Sequence, residues 1–283
     1  TETETAASGA QINASGQLQL GATTNGREFV SQDITGLYGT TLSSNTCLMT
    51  WAFCIRQSRT DPGGFVAGSY AAAFVLGASS GNFLGAGVTG YAVLYGQGGT
   101  ADPLRLVRFN NGLSTDGALT NVIAATATPT PFNDLGNNYL AVRVTFAPAT
   151  GTWSMYATSL SLSTFSTTNP TTATNLIGSA TVNTLYTTTA LPYIGCFWNH
   201  NTGAGEAALF DNIHVPQLCI PTVNFTATSG SAAENVGTIT VNMTIFPATV
   251  TGGNIVVTVT NGAGVVYGVG NDYTTTPGVV GTD

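Results

Sequence analysis

Apolar and polar residues alternate in short runs along most of this chain. Leu140, Val142, Val144 and Phe146 alternate with Ala141, Arg143 and Thr145; "APATG" then turns the chain, and Trp153, Met155 and Ala157 alternate with Ser154 and Tyr156. A period of two places every second side chain on one face of a strand, so this segment predicts a hairpin with a longer loop. "CLMTWAFCIRQ" places Met49, Trp51, Phe53 and Ile55 on one face, and "GYAVLYG", "LRLVRFNNG" and "YIGCFWN" read as further strands. Helical periodicity is missing, and residues 126–130 and 167–174 form Thr/Pro-rich loops. Many strands and turns with few helices predict an all-β sandwich or barrel.

The texture changes near residue 220. Ile239, Val241, Met243 and Ile245, then Ile255, Val257 and Val259, alternate more cleanly, and Pro216 and Pro221 bracket the transition. Proline is at home in linkers and at strand edges. The expected domains are therefore 1–217 and 218–283. The second holds three or four strands, whereas a sandwich of this style needs about seven strands and ~100 residues. It is expected to be incomplete, with open edges that further chain or a partner covers.

Composition narrows the function. Only 7% of residues are charged; lysine is absent, the six basic residues are all arginine, and 13 acidic groups give a net charge of -7. That balance argues against nucleic acid or an anionic membrane as a partner. No run of 18 apolar residues could span a bilayer. No basic segment followed by an apolar one opens the chain, so any signal peptide is expected to have been removed. A low-charge, Thr/Asn/Gly-rich β protein is expected to be secreted or on the cell surface.

The four cysteines are constrained by strand geometry. Cys47 and Cys54 flank one strand and would lie ~23 Å apart at about 3.3 Å per residue, beyond disulfide reach. Two pairings remain open, as do four buried thiols. If the first and last long strands are antiparallel neighbours, Cys47–Cys219 is favoured, leaving Cys54–Cys196. No C-x-x-C occurs, which argues against zinc.

The densest chemistry lies in "ALFDNIHVPQLCIP", with Asp211, Asn212, His214 and Cys219. In a regular strand Asp211 and His214, three apart, point to opposite faces and cannot form a base–orienter pair. His214 is expected at the surface and Asp211 in a structural role. A glycosidase needs two carboxylic groups flanking one bond, yet no two acidic residues share a strand face at i, i+2. No Gly-x-Ser-x-Gly elbow accompanies His200. "GQGGT" lacks the lysine of a phosphate loop and reads as a hairpin turn. The chain is expected not to be an enzyme.

Binding chemistry is expected where "FWNHNTG" leaves its strand. Aromatic faces stack on sugar rings and Asn both donates and accepts, making Trp198, Asn199, His200 and Asn201 the candidate ligand residues. Asp61 and Asp102 each precede proline in a turn and could offer oxygen to Ca²⁺.

The set "LMTWAFCIRQ", "GYAVLYGQGGTADPLRLVRFNNGL", "YLAVRVTFAPATGTWSMYAT", "LPYIGCFWN" and "ALFDNIHV" resembles the concanavalin A-like and laminin G-like jelly rolls of bacterial surface proteins, over roughly residues 10–216. The resemblance implies two curved antiparallel sheets, adjacent first and last strands, and binding of glycans or proteins. "VNFTATSGSAAENVGTITVNMTI" and "GNDYTTTPG" resemble the start of an Ig-like Calx-beta domain. The resemblance implies that Glu234 and Asp272 are contributors to a calcium site that further acidic residues would complete. The expected function is a non-catalytic adhesin-like module that binds glycan or surface protein, with Ca²⁺ as candidate cofactor and further domains of the same polypeptide as partners. The alternatives are a structural spacer or fibre subunit and, last, a glycan-cleaving enzyme.

Overall fold

The computed structural model describes residues 9–21, 26–126, 131–160, 164–165, 168–201 and 206–217, together with two short strands farther on. The chain divides into two compact units, Thr1–Leu218 and Cys219–Asp283. In the first, two antiparallel sheets form a jelly-roll β-sandwich. One sheet has seven strands in the order β1 (Ala10–Ile12), β2 (Leu18–Leu20), β13 (Ala208–His214), β4 (Met49–Gln57), β9 (Leu140–Ala147), β10 (Thr152–Ser159) and β11 (Asn175–Val182). The other has six: β3 (Gly26–Asp33), β12 (Tyr193–His200), β5 (Ala71–Ala78), β6 (Gly90–Tyr95), β7 (Arg105–Phe109) and β8 (Leu119–Ala124). The predicted hairpin is β9–β10, and the opening and closing strands β4 and β13 are antiparallel neighbours, with Ala208 opposite Gln57.

Period-two alternation builds the core between the sheets. Trp51, Phe53 and Ile55 of β4 and Trp153 and Met155 of β10 face Phe74, Tyr91, Val93, Cys196 and Trp198 of the other sheet. Phe53 and Phe74 stack across the gap at 4.0 Å between ring centroids. The six-stranded sheet is buried on its outer face as well. There Phe29, Ala73, Val75, Leu94 and Phe197 pack beneath the loop residues Phe65, Phe83 and Leu113. This second layer explains "AAAFVLGA" (β5), which is buried at every position.

Strand parity overturns the expected Cys54–Cys196 disulfide. Cys196 faces the inter-sheet core, whereas Cys54 lies on the opposite side of the seven-stranded sheet with Ala141, Phe165 and Leu209. Both are free, buried thiols. Cys47 is disulfide-bonded; its expected partner, Cys219, lies outside the described residues.

In the second unit, β14 (Thr222–Phe225) pairs antiparallel with β15 (Met243–Phe246). Glu234 and Asp272, and the rest of the Calx-beta resemblance, fall outside the described residues. Among the described residues no helix is long and apolar enough to cross a membrane.

Candidate functional site

The last residues of β12 and the loop after β4 meet at one end of the sandwich. β12 alternates here, sending Asn199 to the outer face of its sheet and Trp198 and His200 to the inner one. Asn199 pairs with Arg27 and Trp198 with Glu28 on the neighbouring β3.

On the outer side, Asn199 accepts from Arg27 Nε (3.1 Å) and donates its amide to the carbonyls of Gly64 (2.9 Å) and Val66 (2.8 Å). Arg27 Nη2 also donates to the carbonyls of Phe65 (3.0 Å) and Ser114 (2.6 Å). The Asp116 carboxylate accepts from the Phe65 N–H at 3.3 Å. Gly64 has φ +91°, and a Cβ there would lie 2.7 Å from Gly98 N. Only glycine satisfies both the left-handed backbone and that approach. The loop after β4 is thereby pinned to the loop after β6 and to the turn before β8.

On the inner side, Trp198, His200 and Glu28 are 0%, 1% and 1% exposed. His200 Nε2 lies 3.4 Å from Glu28 Oε1, and the Trp198 and His200 rings are stacked at 6.3 Å. Toward solvent, Tyr70 leans on Trp198 at 5.8 Å and carries the Arg59 guanidinium 4.6 Å over its ring. Arg59 in turn pairs with Glu206 at 2.7 Å.

The structure thus brings Trp198, Asn199 and His200 together but buries all three, so none offers a sugar-stacking face. Their roles are wall and clamp. Asn201, at the strand's exit, is half-buried. The expected calcium pair also divides: Asp61 is exposed, while Asp102 is 1% exposed. Asp102 Oδ1 accepts from the Gln97 N–H at 2.8 Å, and Oδ2 is buried without a hydrogen-bond partner. Burial foremost, with the nearby Asp61 and Asp134 carboxylates adding to it, raises the Asp102 carboxyl to about 6. Among the described residues no three His, Cys, Asp or Glu side chains gather as a metal-holding group. Sequence reasoning missed Arg27, Glu28, Arg59, Tyr70 and Asp116 because each belongs to a different segment and only the fold assembles them.

The separation of Asp211 from His214 does not survive either. Asn212 has φ +48°, and the register steps from Asp211 opposite Cys54 to His214 opposite Ala52. One extra residue on β13 makes a β-bulge, which places Asp211 and His214 on the same face. His214 is exposed, and Asp211 Oδ1 accepts from the Asn212 N–H at 2.8 Å.

No family model and no curated protein matches this chain. Among solved structures, it is similar to the legume lectin-like domain from Entamoeba histolytica (8% identity, 74% of this chain and 87% of that one, TM-score 0.44). It is likewise similar to peanut lectin solved with a nine-residue peptide (16%, 71% and 85%, 0.41) and to an engineered GH43 glycoside hydrolase (14%, 75% and 36%, 0.39).

Proposed function

We propose that the first unit is a non-catalytic binding module of a secreted or cell-surface, adhesin-like protein, and that it takes a glycan or a protein surface on the rim formed by the loops after β4 and β6. The carrying observation is the clamp of Arg27, Asn199 and Asp116, which holds the loop after β4 from beneath by buried and half-buried hydrogen bonds and packs Gly64 of that loop against Gly98 of the loop after β6. Their outer side presents Arg59, Asp61 and residues 98–101 to solvent. Polar loops fixed on a rigid scaffold lose little entropy when a ligand arrives.

A glycan-cleaving reading is disfavoured by burial. Asp102 has the raised carboxyl a general acid needs, but Oδ2 is sealed from solvent and so from a glycosidic oxygen. Ca²⁺ is proposed as a cation at the exposed Asp61 alone, because the sealed Asp102 carboxylate does not fit it. A Cys47–Cys219 disulfide is proposed as the staple at the domain's exit, where the chain runs on into a Calx-beta-like spacer.

A glycan array, probed with and without EDTA and repeated with Arg59→Ala/Asp61→Ala, tests the reading. Binding lost in the double variant supports the rim. Binding that survives it, or silence on both a broad array and a panel of surface proteins, overturns it.

A further inference from the structure

Eight buried side-chain nitrogen and oxygen atoms among the described residues make no hydrogen bond, and four of them belong to three neighbouring residues of one strand pair: Glu28 Oε1 and Oε2, His200 Nε2 and Trp198 Nε1. The register places the three side chains on one face. Glu28 and Trp198 are cross-strand partners, and His200 lies two residues beyond Trp198 on the same face. From the other sheet Gly9 closes over the carboxylate so tightly that a Cβ at that position would fall 1.7 Å from Glu28 Oε2.

The chemistry of these atoms specifies what can lie among them. His200 Nδ1 faces the Asn201 carbonyl at 3.3 Å, a contact that requires the proton on Nδ1. With Nε2 also protonated, its 3.4 Å contact with Glu28 is a direct ion pair, the outcome the test below separates. With Nε2 unprotonated the ring presents an acceptor there, beside a carboxylate oxygen that also only accepts. Two acceptors cannot satisfy one another, whereas the indole N–H of Trp198 can only donate. A group that donates twice and accepts once resolves all three. A bare cation does not, because the indole N–H points a positive edge at it. A buried polar group left unpaired costs about 1–3 kcal/mol, and internal water with two to four polar partners is the usual remedy.

We propose that Glu28, His200 and Trp198 enclose an internal water site. The water accepts from Trp198 Nε1 and donates to Glu28 and to His200 Nε2, and it keeps the ring proton on Nδ1. The site ties β3 to the end of β12, directly beneath the pinned loop. It rests on side chains inside the sandwich and stands whether or not the rim binds a ligand.

Two measurements on the intact chain decide it. The ¹⁵N shifts of His200, assigned by comparison with His200→Gln, should report a neutral ring protonated at Nδ1 at pH 7. A crystal structure fine enough to place solvent should show one peak within ~3.2 Å of Trp198 Nε1 and of either acceptor. In Glu28→Gln, whose amide can donate straight to Nε2, the peak should be lost while the Nδ1–H tautomer remains. An imidazolium ring at pH 7, an Nε2–H tautomer, a peak with anomalous signal, or protein atoms filling the space would each overturn the proposal.

Discussion

Asp102 should set a measurable part of the pH dependence of stability. Its carboxyl is raised to about 6 in the folded chain, chiefly by burial, against ~3.9 for an unfolded aspartate. The folded state therefore binds the extra proton between those values, and stability falls as pH rises from about 4 to about 6, then levels off. At full value the gap corresponds to about 3 kcal/mol. The carboxyl itself is buried, but the Asp61 and Asp134 charges that add to its shift are exposed and screened by solvent, so about half of that, ~1.5 kcal/mol, is the expected size. Asp102→Asn keeps an oxygen for the Gln97 N–H and carries no charge at any pH. In urea titrations with EDTA, followed by the fluorescence of the buried tryptophans, the variant should gain ~1.5 kcal/mol on the wild type between pH 3.5 and pH 7.5. The difference between the two proteins cancels every other titrating group. Parallel profiles would refute the reasoning, as would a variant that gains stability at the acid end.

Burial pushes the Cys54 thiol up to about 12 and raises Cys196 as well. Neither should react with a thiol reagent at pH 8 until the chain unfolds, and non-reducing peptide mapping should recover Cys47 joined to Cys219. Gly195→Ala would place a Cβ 2.0 Å from the Val30 carbonyl oxygen, an overlap of backbone with side chain that should cost ~3 kcal/mol or more in chemical denaturation. At the bulge, Asn212→Gly should be about 1 kcal/mol more stable than Asn212→Ala. Both lose the amide bonds to the Phe165 and Thr168 carbonyls, but only alanine strains φ +48°; equal stabilities would mean that the backbone relaxes.

Strands with one apolar face were legible because period two survives wherever one side meets the core and the other meets something different. β10 follows that rule in its burial, and β4 and β9 keep it in side-chain size, large residues facing the core and Ala52, Cys54 and Ala141 buried on the other face. β5 does not, because loops bearing Phe65 and Phe83 bury its outer face and erase the alternation. The expected ligand residues Trp198, Asn199 and His200 end their strand at a loop rim, but they are buried there. The chain crossing above them, Gly64 to Val66, is fixed by Arg27 of β3, far away in sequence. Nothing local to Asn199 announces that its amide is spoken for. The Cys54–Cys196 error, by contrast, was avoidable from sequence. Trp51, Phe53 and Ile55 share the core face of β4, so Cys54 had to point away from it.

The bulge at Asn212 decides which face His214 occupies. β13 advances three residues from Asp211 to His214 where β4 advances two, from Cys54 to Ala52, so the extra residue keeps His214 on the face of Asp211. Removing that residue leaves a regular ladder, with Ile213 opposite Phe53 and His214 still opposite Ala52. Deleting Asn212 should therefore keep His214 as exposed as it is in the wild type, with loss of the amide bonds to the Phe165 and Thr168 carbonyls. Chemical modification of His214 measures the outcome. Loss of solvent access at His214 in the deletion variant would show that the end of β13 shifts as a whole and that the bulge does not absorb the extra residue.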